Sequence, residues 1–213
     1  MACAICETRR PRRFCPGVRG DICSICCGTE REVSVDCPLD CPYLEDAHKH
    51  ERRPPLDPEQ VPHRDIRVSD EFMIANQDLC MFLGQVLGRS ALETSGAVDS
   101  DVREALEGLI QTYRTLEKGV YYESIPANPL AAQVFRDVQA AVAEFRREEP
   151  RRTGMSRTRD GDVLGILVFF QRVGLDHENG RKRGRAFIAT LQQFHSEAAP
   201  EGEAASPSSL ILP

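Results

Sequence analysis

The chain of 213 residues contains no tryptophan and only 6% aromatic residues. Its core must therefore rest on aliphatic side chains, and few rings stand ready to stack on bases. Long apolar runs are missing too. The longest, Val163 to Phe170, is broken by Gly165 and is far too short to cross a bilayer. The N-terminal MACAIC, followed by Arg9, Arg10, Arg12 and Arg13, has no apolar stretch of signal-peptide length. Together these absences predict a cytoplasmic protein without a membrane anchor. Nor is there a surplus of positive charge. The net charge of -6 argues against a protein that coats nucleic acid through a broad positive field, while leaving room for a local basic patch.

Catalytic signatures are scarce as well. The five histidines, 48, 50, 63, 177 and 195, have no nucleophile motif near them. There is no phosphate-cradling glycine loop, no H-E-x-x-H and no paired-carboxylate pattern beyond ordinary helix faces. The expectation is a protein that is not an enzyme. Cysteine is almost absent from the last 170 or so residues, where Cys80 stands alone and reads as a small buried hydrophobe.

What is present is a concentration of cysteine at the front: Cys3, Cys6, Cys15, Cys23, Cys26, Cys27, Cys37 and Cys41. In a reducing compartment such a cluster is metal-bound rather than disulfide-paired. A Cys-x-x-Cys turn places two sulfurs on one ion with little strain. Cys3/Cys6 and Cys23/Cys26 make a first tetrahedral site, and Cys15, Cys27, Cys37 and Cys41 remain for a second. The adjacency of Cys26 and Cys27 leaves open which of them joins which site. Eight thiolates close two structural zinc sites with no position left for water; an iron–sulfur cluster or a redox-sensing thiol cluster is the competing reading. His48 and His50 follow a complete set and read as solvated linker histidines, although either has the chemistry to replace a sulfur. Residues 1–46 are too few to fold on apolar burial alone, so metal must supply the stability. Phe14, Ile22, Ile25, Val33 and Val35 are the minimal core available, and Val33-Ser34-Val35 alternates like a short strand. Arg9, Arg10, Arg12 and Arg13 would stabilise nearby thiolates by charge.

The run CAIC…RFCP…ICSICC…C resembles the HIT and MYND zinc fingers, which also show a leading C-x-x-C, a CP step after a basic loop and a CS pair further on. The resemblance covers residues 3–41. It departs where those families place a second cysteine soon after the CP step, here Gly17-Val18, and where they end in a histidine-containing pair, here Cys37 and Cys41. The whole string, with CCG and CPLDCPYL, resembles uncharacterised bacterial proteins with a cysteine-rich head on a helical body. The finger resemblance implies a cross-braced module with two zinc ions, used for protein contact and in some cases for nucleic acid.

Behind this module, residues 47–64 are rich in charge and proline and predict an extended linker or surface strap. Residues 65–195 carry helix-period patterns. A helix from about Ser69 to Ala91 has an inward face of Phe72, Leu79, Phe82, Val86 and Leu87, and its Gly84 and Gly88 would admit a neighbouring helix closely. Others run from about Ser100 to Val120 and from Asn128-Pro129 to a stop at Pro150. Asp162 to Val173, apolar nearly all round, reads as a central helix, and a last helix carries Phe187, Leu191 and Phe194. Residues 196–213 have the composition of a disordered tail. The fold class is thus mainly α: a small cysteine-rich zinc module followed by an all-helical bundle. Tyr121 and Tyr122 are expected to pack between helices.

Two functional surfaces are legible. Zinc would hold the Arg9–Phe14 and Thr29–Val35 loops rigidly for a protein partner. Arg181, Lys182, Arg183 and Arg185, in a glycine-punctuated loop leading into a helix, are the best candidate site for an anion or nucleic acid. The leading expectation is a non-enzymatic protein-interaction adaptor or regulator; the alternatives are a nucleic-acid-binding regulator and a thiol-based redox or metal sensor.

Overall fold

A computed structural model of the full chain describes residues 2–51, 57–155 and 157–196. The expected tail, from residue 197 on, and the middle of the expected linker lie outside the described residues. The fold is mainly helical, with a cysteine-rich head ahead of a helical body. In the head, β1 (Arg13–Cys15) and β2 (Gly20–Ile22) form an antiparallel hairpin in which Phe14 faces Asp21. Two short helices follow, α1 (Ser24–Glu30) and α2 (Pro42–His50). The strand expected at Val33–Val35 does not form; Val35 makes only an isolated bridge to Arg31 across a tight turn. The expected linker also begins differently, because α2 opens at Pro42 in the first helical turn and carries helix through His50.

In the body, Ser69 caps α3 (Asp70–Ala75), its hydroxyl accepting from Phe72 N–H at 3.2 Å. The single long helix expected here is broken. Asn76 donates both its N–H and its Nδ2 to the Phe72 carbonyl, closing α3 before α4 (Gln77–Glu93) begins. α5 spans Asp99–Glu117, and α6 spans Pro129–Thr153 behind an Asn128 cap. Pro150 does not stop α6. A proline already inside a helix costs its own missing donor, and here the helix runs one more turn until Gly154, at φ 79°, closes it with a bond to the Pro150 carbonyl. α7 (Asp160–Asp176) is the expected central helix, buried through Val163, Ile166, Leu167, Val168 and Phe170. It packs on α5, while α8 (Ala186–Ser196) lies along α4. The two glycines of α4 account for that second contact. A Cβ at Gly88 would come within 2.9 Å of the Leu191 carbonyl, and one at Gly84 within 2.7 Å of the Phe194 ring.

Between head and body, the stretch up to α3 is a strap tied to the bundle. The Arg172 guanidinium donates to the carbonyls of His63 and Ile66 at 2.8 and 2.9 Å, and Arg114 pairs with both oxygens of Asp65. No described helix is long and apolar enough to cross a membrane.

Candidate metal centre

The N-terminal knuckle is built by backbone hydrogen bonds. Cys3 N–H donates to the Arg9 carbonyl at 2.9 Å and Glu7 N–H to the Cys3 carbonyl at 2.8 Å, with Glu7 held at φ 53°. Ala4 N–H donates to the Asp21 carbonyl, stapling this turn to β2. The second knuckle is the start of α1. Cys23 is its N-cap, and its Sγ accepts from Cys26 N–H at 3.4 Å. The two knuckles meet where Cys23 N–H donates to Cys3 Sγ at 3.2 Å. The sulfurs of Cys3, Cys6, Cys23 and Cys26 all lie within 4.8 Å of one another.

This arrangement suits a cation. Tetrahedral metal–sulfur bonds of about 2.3 Å put sulfurs roughly 3.8 Å apart, inside that spread. Amide donors pull the Cys3 and Cys6 thiols down. For Cys6, hydrogen bonds from Thr8 and from the Thr8 and Arg9 backbones bring the value to about 5. Burial beside the other sulfurs pushes Cys26 up to about 12. Thiols packed so closely cannot all ionise against one another, and a bound cation resolves the conflict. Arg9 donates to Cys23 from outside the group. Of the adjacent pair, it is Cys26 that joins the two leading knuckles.

The other four cysteines are not gathered in the same way. Cys15, Cys37 and Cys41 are electrostatic neighbours packed around Val35 and Leu44, and the Glu32 N–H donates to the Cys37 sulfur, whose thiol burial pushes up. Cys27 instead lies 3.8 Å from guanidinium nitrogens of both Arg13 and Arg31. Among the described residues, only the first set forms a four-ligand group.

The minimal core expected for the head is largely corrected. Ile22 and Val35 are buried, but Phe14 is 62% exposed, Ile25 52% and Val33 40%. The cysteines themselves fill the space: Cys3, Cys23 and Cys26 are buried around Ile22. Tyr121 and Tyr122 are likewise outside, at 72% and 63% exposure.

The basic loop is tied to the head and to α2's end by two of its four cationic side chains and by two of its amides. Arg181 donates to the Arg31 carbonyl, Arg183 N–H donates to the Glu32 carbonyl at 2.8 Å, and the Arg183 side chain lies 3.8 Å from Asp36. Arg185 N–H donates to Glu32 Oε1 at 2.8 Å; among the described residues neither the exposed Lys182 nor the half-buried Arg185 guanidinium makes a side-chain hydrogen bond or ion pair. The loop is a clasp between body and head.

The centre of that clasp is Glu32, which sequence reasoning missed. Its carboxylate is 1% exposed and its backbone sits at φ 53°. It accepts from His48 Nε2 at 3.1 Å, Asn179 Nδ2 at 3.0 Å and the Arg185 amide. Burial alone would raise its pKa; His48 and these donors outweigh that and hold it below the ordinary carboxylate range. His48 is thus not a solvated linker side chain but the partner of the buried Glu32. The exposed His50 turns its Nδ1 to the Asp46 carbonyl at 2.8 Å. Nothing in a Glu-Arg-Glu string distinguishes Glu32 from its surface neighbours, since His48 is 16 residues on and its other two partners lie 147 and 153 residues away. No family model, no curated protein and no solved structure matches this chain.

Proposed function

We propose that the protein is a non-enzymatic, zinc-binding adaptor or regulator of the cytoplasm, in which zinc is structural and the head is a surface for protein contact. The observation that carries this reading is the buried group of Cys3, Cys6, Cys23 and Cys26. Four sulfurs complete a zinc coordination shell and leave no place for a reacting water, so the ion serves the fold. A second zinc is held by Cys15, Cys27, Cys37 and Cys41, which the proximity of Cys15 and Cys41 to Cys37 supports; Cys27 joins them by turning away from Arg13 and Arg31. This is the two-ion, cross-braced pattern of the HIT and MYND fingers, used as a rigid display of the hairpin.

One observation favours a second reading. Cys27 lies 3.8 Å from two guanidiniums, which supports the reading of a thiol-based redox sensor in which oxidation releases metal.

Metal content and free thiols, measured on protein purified natively without added metal, decide between them. The expected result is two zinc per chain, retained in mild peroxide and removed only by a strong chelator. Release of metal by a few equivalents of peroxide, recovered on reduction, would promote the sensor. Absence of metal, or the visible absorbance of an iron–sulfur cluster, would overturn the zinc assignment.

A further inference from the structure

Seven of the described arginines pair with a carboxylate, and all seven lie in the body and the clasp: Arg103, Arg114, Arg146, Arg147, Arg151, Arg181 and Arg183. In the head, none of Arg9, Arg10, Arg12, Arg13, Arg19 and Arg31 forms such a pair among the described residues. Three of these six serve sulfur: Arg9 donates to Cys23, and Arg13 and Arg31 flank Cys27, with Arg13 also stacked 3.8 Å over the Tyr43 ring. Arg10, Arg12 and Arg19 are left exposed, with no recorded side-chain partner.

The hairpin sets one of these cations on the face of an exposed ring and the other two toward its two ends. Alternate residues of a strand share a face. Arg13 and Cys15 turn inward, so Arg12 and Phe14 face out together. Arg19, at φ 56°, stands in the turn joining β1 to β2, and Arg10 lies just before β1. Phe14 is the most exposed phenylalanine of the described residues, at 62%, on a strand that has a partner along one edge only. Nothing in the head's own packing requires an aromatic side chain there, because the sulfurs and Ile22 fill the interior.

We propose that this face of the hairpin binds an acidic peptide segment of a partner protein, with an apolar side chain of the segment seated on Phe14 and its carboxylates held by Arg10, Arg12 and Arg19. The inference rests on the head being a metal-stiffened contact module and names the chemistry of its partner. Guanidinium forks match carboxylates in two-point hydrogen bonds, and arginines beside an aromatic anchor are the usual makings of an interface hot spot. Charge complementarity selects the segment, and the apolar seat gives it residence time. A nucleic-acid strand fits this face less well. Asp21, also exposed, lies directly across from Phe14, and Glu7, Asp36 and Asp40 are carried on the same small module. Discrete carboxylates can be placed between such acids; a continuous phosphate backbone meets them repeatedly.

The test uses the full chain loaded with zinc. Randomised twelve-residue peptides displayed on phage are selected on the wild type, and the enriched sequences are synthesised with a fluorescent label. Their binding is then compared on the wild type, Arg12→Glu and Phe14→Ala, with a labelled fifteen-residue oligothymidylate as the nucleic-acid probe. Both positions are solvent-exposed, and unchanged zinc content confirms that each variant is folded. Enriched peptides rich in Asp and Glu around one or two large apolar residues, bound at least ten-fold more weakly by each variant, support the proposal. Peptides without acidic bias, peptides bound by both variants as tightly as by the wild type, or no enrichment at all overturn it while the zinc content stands. Tighter, steeply salt-dependent binding of the oligothymidylate, lost in Arg12→Glu, overturns it in favour of nucleic acid. Failure of the contact-module reading has a separate signature, a wild-type chain that holds no zinc.

Discussion

The head and the body of this protein solve the same problem with different materials. In the body, large side chains such as Phe135, Phe170, Phe187, Leu83, Leu106 and Ile166 are fully buried against one another. Among the described residues of the head, Ile22 and Leu44 are the large apolar side chains so enclosed, and Val35 and the sulfurs occupy the remaining interior. A helix that buries an aliphatic face is stabilised by the water it sheds. A module of this size that leaves Phe14 and Ile25 in solvent has too little such surface and needs a cross-link through a cation. One consequence is that the head is free to place its aromatic and cationic side chains on its outside, whereas the body ties several of its arginines to its own carboxylates.

The largest effect that separates the two regions is removal of metal. Structural zinc contributes on the order of 10 kcal/mol to a small thiolate module near neutral pH. Strong chelators should therefore open the head while the helical signal of the body persists. Limited trypsin digestion reads this directly: cleavage after Arg9, Arg12 and Arg13 should become fast on chelation, with the stretch from α4 to α7 still protected. Equal loss of protection in both regions would mean that the body depends on the head for its own fold.

The reverse perturbation is the next largest. Phe170 packs edge-on against Phe169 and Phe194, with ring centroids 5.3 and 5.6 Å away, in the layer where α7 meets α4 and α8. Phe170→Ala should cost about 3–5 kcal/mol, the usual range for an emptied aromatic site in a packed core. The urea midpoint of the helical signal should fall accordingly, with zinc content unchanged. A variant that also loses zinc would show that the two regions are not separable.

Much of this contrast was legible in the sequence. Helix periodicity and the Asn128-Pro129 start located the body's helices, and Gly84 and Gly88 announced the close contact with α8. The Cys-x-x-Cys spacing located the four-sulfur group because ligand spacing is local chemistry. What escaped was long-range or side-chain specific. Asn76 breaks a helix by using its own amide, an option that hydropathy does not register. The apolar residues of the head looked like a core because their types are usually buried; here cysteine had already taken the volume. The basic loop at 181–185 looked like an anion site because its partners, Arg31, Glu32 and Asp36, are remote in sequence and folded against it.

Asp99 tests the seam between the two regions by pH. Its carboxylate is buried at the start of α8, accepting from Phe187 N–H and Ile188 N–H at 3.0 Å each, and its own N–H donates to the Gly184 carbonyl of the clasp. Burial raises its pKa from 3.8 to about 6, against the pull of the two amides. A carboxyl with a raised pKa in the folded state binds its proton more tightly there than when unfolded. Its contribution is complete below about pH 4 and is lost as pH rises through 6, a change on the order of 3 kcal/mol by linkage. Asp99→Asn cannot titrate, so the stability difference between variant and wild type should change by that amount across this window. Parallel pH profiles for the two would sink the assignment of Asp99 as the titrating group.

The smallest effect is the most specific to the join. Glu32→Gln keeps the size of the side chain but replaces one of two acceptor oxygens with a donor. An amide group then faces His48 and either Asn179 or the Arg185 N–H, and at least one buried donor loses its acceptor, at a cost of about 2 kcal/mol. Because the mutated group belongs to neither the four-sulfur cluster nor the helical core, zinc content and the helical signal should hold. The change should appear instead in hydrogen exchange at the Arg183 and Arg185 amides, which donate to the Glu32 carbonyl and carboxylate. Faster exchange there, with α5 and α7 unchanged, would show the head swinging on its clasp while each region stays folded. Exchange unchanged at both amides would mean that the strap through Arg172 and Arg114 suffices to hold head and body together.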